Sequence, residues 1–153
     1  MKHAHRILAA SLPLWIGCSD FTPVQTALVH SGDGSVSGGT FNGCPPEAFV
    51  DRSAADADRT VGFGGEHGSG GFSFAPKCMA IAAGQAVTWM GAFSTHPLTR
   101  GVPGDTNGGA AGNPIPTTTT GAAVSVTFPR PGTYPYVCGM HAFLGMTGVV
   151  VVR

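Results

Sequence analysis

Cys138, His141 and Met146 place a thiol, an imidazole and a thioether inside nine residues, and His96 supplies a second imidazole upstream. One cysteine, two histidines and a methionine suit a copper ion that alternates between two oxidation states. Thiolate and thioether favour Cu(I), and imidazole accommodates either state. A weak axial Met146 would leave a trigonal plane of Cys138, His96 and His141. Hard oxygen ligands are missing from this cluster, which argues against calcium, magnesium or manganese. Zinc accepts one cysteine and two histidines, but a thioether is a poor zinc ligand. Taken singly, Cys138 reads as a buried structural thiol and Met146 as core; it is their joint spacing around His141 that points to a metal.

These residues need rigid elements to bring them together. Tyr134, Tyr136 and Cys138 share one face of a predicted strand, and Met146–Val152 reads as a strongly apolar strand. The seven residues between Cys138 and Met146 then form one loop at one rim, with His141 inside it. His96 must reach the same rim from a different strand, in the stretch Phe93–Leu98. A fixed β scaffold would hold all four in place in either oxidation state, which keeps the cost of reorganisation small.

The rest of the chain reads as β structure too. Glycine (24) and proline (12) are abundant and 10% of the 153 residues are charged, with little amphipathic helical periodicity. Lys77–Ala82 and Gln85–Met90 form a strand-turn-strand pattern with Val87 and Trp89 on one face. Val124, Val126 and Phe128 alternate with Ser125 and Thr127, and Pro129–Gly132 makes the following turn. Thr99–Gly121 holds six glycines and three prolines, so it reads as a long loop with little core potential. Residues 41–70 are ambiguous: Pro45-Pro46-Glu47 opens a possible short helix, and His67, among glycines, reads as a surface loop or a second metal site.

The first residues have the pattern of a leader. Lys2 and Arg6 precede the short apolar run Ile7–Ile16, too short to span a bilayer comfortably, and Gly17-Cys18 follows. A small residue before a cysteine resembles a bacterial lipoprotein cleavage site, with Trp15 where that motif usually has Leu. Lipidation at Cys18 is the expected outcome, with ordinary secretion and a retained membrane anchor as the alternatives. Residues 19–40 read as a flexible Gly/Ser-rich linker in which His30 is solvated, leaving 41–153 as the domain. Without Lys2 and Arg6, six basic residues face eight acidic ones, a net charge near −2. Such weak charge gives no sign of a nucleic-acid partner and little steering toward any other.

Setting Cys18 aside leaves Cys44, Cys78 and Cys138. An exported chain with an odd count is expected to pair two and keep one for chemistry. Cys138 lies in the ligand cluster, so Cys44–Cys78 is the predicted disulfide; two free buried thiols are the alternative.

The stretch Gly132-x-Tyr134-x-Tyr136-x-Cys138-x-x-His141-x-x-x-x-Met146-x-Gly148-x-Val150 resembles the C-terminal signature of the cupredoxins, the plastocyanin and pseudoazurin-like blue copper proteins. The resemblance covers roughly residues 72–153. It implies a Greek-key β-sandwich with one mononuclear type 1 copper on His96, Cys138, His141 and Met146. It also implies single-electron transfer between redox protein partners, in a chain that needs to be no more than a monomer.

Two residues depart from that pattern. The family usually has Asn after the first histidine, with a backbone N–H donating to the cysteine sulfur; Pro97 has no N–H to give. Pro135, inside the cysteine-bearing strand, removes a ladder donor and is expected to face outward or mark a bulge.

Met140, Ala142, Phe143 and Leu144 flank His141 with apolar side chains. They read either as a docking patch beside the electron exit or as side chains folded inward over the copper. The rival function is copper storage or delivery, which prefers an open, Met-rich Cu(I) site. Catalysis at coupled coppers would need further His-x-His pairs, and only His3-Ala-His5 in the leader has that form. A binuclear centre would need two cysteines in the loop. No residue is assigned acid–base work, so the chain reads as a carrier and not an enzyme.

Overall fold

Alternating and continuous apolar runs, punctuated by glycine and proline, build a β structure in two layers. The computed structural model describes residues 40–65, 70–105 and 112–153, all within the unit Gly32–Arg153. The leader, most of the linker, His30 and His67 lie outside the described residues. One sheet has five strands in the order β1 (Val50–Asp51), β4 (Cys78–Ile81), β9 (Thr147–Val152), β8 (Gly132–Cys138) and β6 (Leu98–Arg100). The other has four, in the order β3 (Phe74–Ala75), β2 (Thr60–Phe63), β5 (Ala86–Met90) and β7 (Ala123–Thr127). Both sheets mix parallel and antiparallel pairs, and from β4 to β8 the chain changes sheet at every connection. This is the all-β, cupredoxin-like Greek-key sandwich implied by the resemblance.

The facing sides of the sheets make the core. Val87 and Trp89 on β5 are fully buried, as their alternation predicts, and they pack with Phe63, Ile81, Phe128, Tyr136 and Cys138. Tyr136 meets Trp89 edge-on at 5.2 Å and Phe74 at 5.0 Å, a geometry aromatic quadrupoles favour. Its phenol also covers Gly148, where an added Cβ would sit 2.7 Å from Lys77 O. The close approach of backbone and ring leaves room only for glycine there.

Three local expectations need correction, and a fourth is met in part. Residues Pro45–Glu47 open only a single 3-10 turn, Pro46–Ala48. His96 is not on a strand: the chain turns at Ala92, whose carbonyl accepts the N–H groups of both Thr95 and His96, and β6 begins only at Leu98. The stretch 99–121 does contribute to the core, because Ile115 is fully buried and Asn113 nearly so. Asn113 receives the Ile115 N–H and donates to Pro135 O at 2.9 Å. Pro135 faces outward, as expected, but marks no bulge: it lies opposite Val149 on the outer side of the five-stranded sheet, buried and in continuous register with β9. Its carbonyl accepts the Gly101 N–H at 2.8 Å, and proline cannot return the bond. The Asn42 side-chain amide fills that role, donating to Gly101 O at 3.2 Å, Tyr136 O at 2.9 Å and Gly148 O at 3.0 Å.

Cys44 and Cys78 form the expected disulfide, closing a separation of 34 residues, and among the described residues Cys138 is the free, buried thiol. With Val149, Val151 and the half-buried Phe49, the bridge makes a second small cluster on the outer side of the five-stranded sheet.

Candidate metal centre

Backbone pairing brings two distant segments to one rim. Leu98 lies opposite Cys138 across β6 and β8, and Gly139 donates to Pro97 O at 2.7 Å. The turn that carries His96 is thereby fastened to the start of the loop that carries His141. That loop closes on itself: Cys138 N–H donates to Met146 O at 2.9 Å, and Met146 N–H returns to His141 O at 3.1 Å. A single 3-10 turn, Ala142–Leu144, fills the loop and ends at Gly145, whose φ of +91° suits a residue without Cβ.

Cys138 Sγ, His96 Nδ1 and His141 Nδ1 converge there. The two nitrogens lie 3.2 Å apart, and the sulfur is 3.4 Å from His141 Nδ1 and 4.0 Å from His96 Nδ1. The centre of a triangle with those edges lies about 2.1 Å from each corner, within the range of metal–nitrogen and metal–sulfur bonds. Two imidazoles and a thiol facing one point fit a soft, borderline metal and offer nothing to a hard one. Burial first, and then the neighbouring His141, hold the His96 imidazole below its ordinary pKa. Both effects favour the neutral ring, the form that binds metals. Met146 is fully buried at the base of the loop, immediately before β9. No backbone N–H among the described residues donates to Cys138 Sγ, in keeping with proline at 97.

Residues 60–153 match the family described as copper binding proteins of the plastocyanin/azurin family. The chain belongs to that family. Plastocyanin from Scenedesmus fuscus is 33% identical over 100 residues, covering 63% of this chain and all of that protein. Among solved structures, amicyanin from Paracoccus versutus is 25% identical with a TM-score of 0.44, covering 65% of this chain and 84% of its own. Pseudoazurin from Methylobacterium extorquens AM1 is 24% identical with a TM-score of 0.46, covering 61% and 72%. As a cupredoxin, the chain is a copper-binding electron-transfer protein, and copper is its cofactor.

Around this cupredoxin centre the surface is apolar. Phe143 is 84% exposed, Met140 65% and Leu144 64%, so their side chains point outward instead of folding over the site. Only Ala142 of the four turns in. The two segments that carry His96, Cys138, His141 and Met146 have no charge of their own: no Asp, Glu, Lys or Arg occurs in 78–99 or 131–152.

One neighbour of the site has no signal in the sequence. Phe72 stacks on the His141 ring with centroids 4.2 Å apart and planes 24° off parallel. It comes from the connection between β2 and β3, a glycine-rich stretch that reads as featureless loop.

Proposed function

We propose that this chain is a small exported carrier of single electrons between redox proteins, with one type 1 copper on His96, Cys138, His141 and Met146. The observation that carries the reading is the triangle of Sγ and two Nδ1 atoms whose centre lies at bonding distance from all three. When bound there, copper supplies a one-electron couple. The residues supply the rest. The sandwich fixes Cys138, the loop bonds fix His141 and Met146, and the Ala92 turn fixes His96, so oxidation and reduction find the same geometry. No acid–base work falls to any of them, so the chain acts as a carrier and not as an enzyme.

Export is supported by the Cys44–Cys78 bridge, since disulfides persist in oxidising compartments. Residues 1–18 act as the leader, with lipidation at Cys18, and 19–40 as the spacer. No helix among the described residues is long and apolar enough to cross a membrane. The membrane is reached, on this reading, only through the lipid.

The apolar patch around His141 is the surface through which partners exchange electrons. Apolar contact excludes water and shortens the approach, and with no charge on the two ligand-bearing segments, salt has little to screen. Electron self-exchange between the Cu(I) and Cu(II) forms, read from NMR line broadening, tests this directly. The rate is expected to change less than about twofold between roughly 10 and 200 mM ionic strength. Phe143→Lys should slow it at low salt by about tenfold with an unchanged visible spectrum, because like charges then meet. Steep salt dependence of the unsubstituted protein would contradict the assignment. Slow self-exchange with tight Cu(I) retention would instead favour storage or delivery.

Pro97 makes a second prediction. An N–H donated to a thiolate stabilises its charge and thereby the Cu(I) state, which leaves more negative charge on sulfur. Pro97→Asn restores a backbone donor beside Cys138, and the reduction potential should rise by about 60 mV, one decade in a one-electron equilibrium. A potentiometric titration showing no rise, or a fall, would remove Pro97 from the account.

A further inference from the structure

We propose that Phe72 is a positioning residue that holds the His141 imidazole in its metal-facing orientation; the inference rests on the copper-site reading above. A ligating histidine is ordinarily oriented by a hydrogen bond from its other ring nitrogen to a carboxylate, carbonyl or water. Among the described residues His141 Nε2 has no such partner; the ring's polar contacts there are Nδ1 to Cys138 Sγ and Nδ1 to His96 Nδ1. The backbone bonds of the loop fix where His141 begins, not how its ring is turned. Phe72 supplies such a constraint. Its ring lies 24° from parallel on the imidazole face at 4.2 Å and also meets His96, tilted, at 6.2 Å.

The placement of Phe72 is itself built. Gly70 and Gly71 precede it with φ of +63° and +72°, a left-handed pair that turns the chain back toward the rim. Phe74, two residues on, is buried in β3 and locked edge-on against Phe63 and Tyr136. Phe72 is thus held close behind a core anchor while its own ring stays 48% exposed. An aromatic ring half in water, flat against a ligand, serves orientation more than it serves the core.

The test separates a flat ring from mere apolar cover. Copper-loaded protein is challenged with excess Cu(I) chelator, and its visible spectrum and melting temperature are recorded, for the unsubstituted chain, Phe72→Leu and Phe72→Tyr. Phe72→Leu keeps the bulk but not the stack and should release copper about three- to tenfold faster, the range that aromatic stacking is worth. Phe72→Tyr keeps the stack and should release it within about twofold of the original rate. Phe72→Leu less than threefold faster, or Phe72→Tyr no slower than Phe72→Leu, overturns the proposal. Metal-free protein gives an independent reading. NMR cross-peaks between the Phe72 and His141 ring protons are expected, and their absence overturns the proposal. Failure of the unsubstituted chain to hold copper at all would count against the site reading, while the metal-free cross-peaks would still decide on the stack.

Discussion

Cys138→Ser should abolish the intense visible absorption of the copper-loaded protein and leave a folded domain. The sulfur is one corner of the triangle, and it is the donor that sets copper apart from harder metals. Serine is nearly isosteric, and its hydroxyl lies on the side of the nearby His141 nitrogen, so that ring can turn to pair with it. The fold therefore survives while the site does not. Loss of a hydrogen bond in the outer shell of a metal typically costs 10–100-fold in affinity, so loss of a ligand should cost Cu(I) binding more than about 100-fold. Competition with a Cu(I) chelator measures the affinity, and the melting temperature reports the fold. Retention of the band in Cys138→Ser would place the copper elsewhere.

The second large effect lies away from the metal. Removing the Cys44–Cys78 bridge, as Cys44→Ala with Cys78→Ala, should cost about 3–4 kcal/mol, the chain-entropy value for a loop of this size. For a domain of this length that lowers the melting temperature by roughly 10–20 °C. The loss should be felt first in the segment that the bridge fastens. Residues 41–49 lie on the outer side of the five-stranded sheet, held by the bridge, by Phe49 packed against the small cluster the bridge forms with Val149 and Val151, and by Asn42. Hydrogen exchange should therefore quicken there before it does in β8 and β9. A loss below about 1 kcal/mol would mean that Asn42 and packing alone hold the segment, and that the closed loop adds little.

What could be read in the sequence depended on how local the signal was. Cys138, His141 and Met146 sit within one loop, and the alternation leading into it fixes which way Cys138 faces; the structure keeps that arrangement. His96 was legible as a ligand candidate but not as a turn residue. Its position depends on the Ala92 carbonyl and on Gly139 reaching back to Pro97, bonds between segments that no short pattern records. Val87 and Trp89 announce their face by alternating, whereas β1 and β3, two residues each, are too short to carry a period. Ile115 is hidden among prolines and glycines, and its burial follows from Asn113 bonding to Pro135 across the fold. Asn42 and Phe72 are the plainest cases. Each acts on residues about 60 to 106 positions away, so neither leaves a mark in its own neighbourhood.

The copper assignment rests most directly on one spectrum. Residues 19–153 are loaded with one equivalent of Cu(II), and the visible absorption is recorded before and after ascorbate. The copper site is expected to give an intense blue thiolate-to-copper band that bleaches on reduction and returns on reoxidation. A green tint would keep the same ligands with a stronger axial Met146. A colourless protein, whether it holds Cu(I) alone or no copper at all, would contradict the copper assignment.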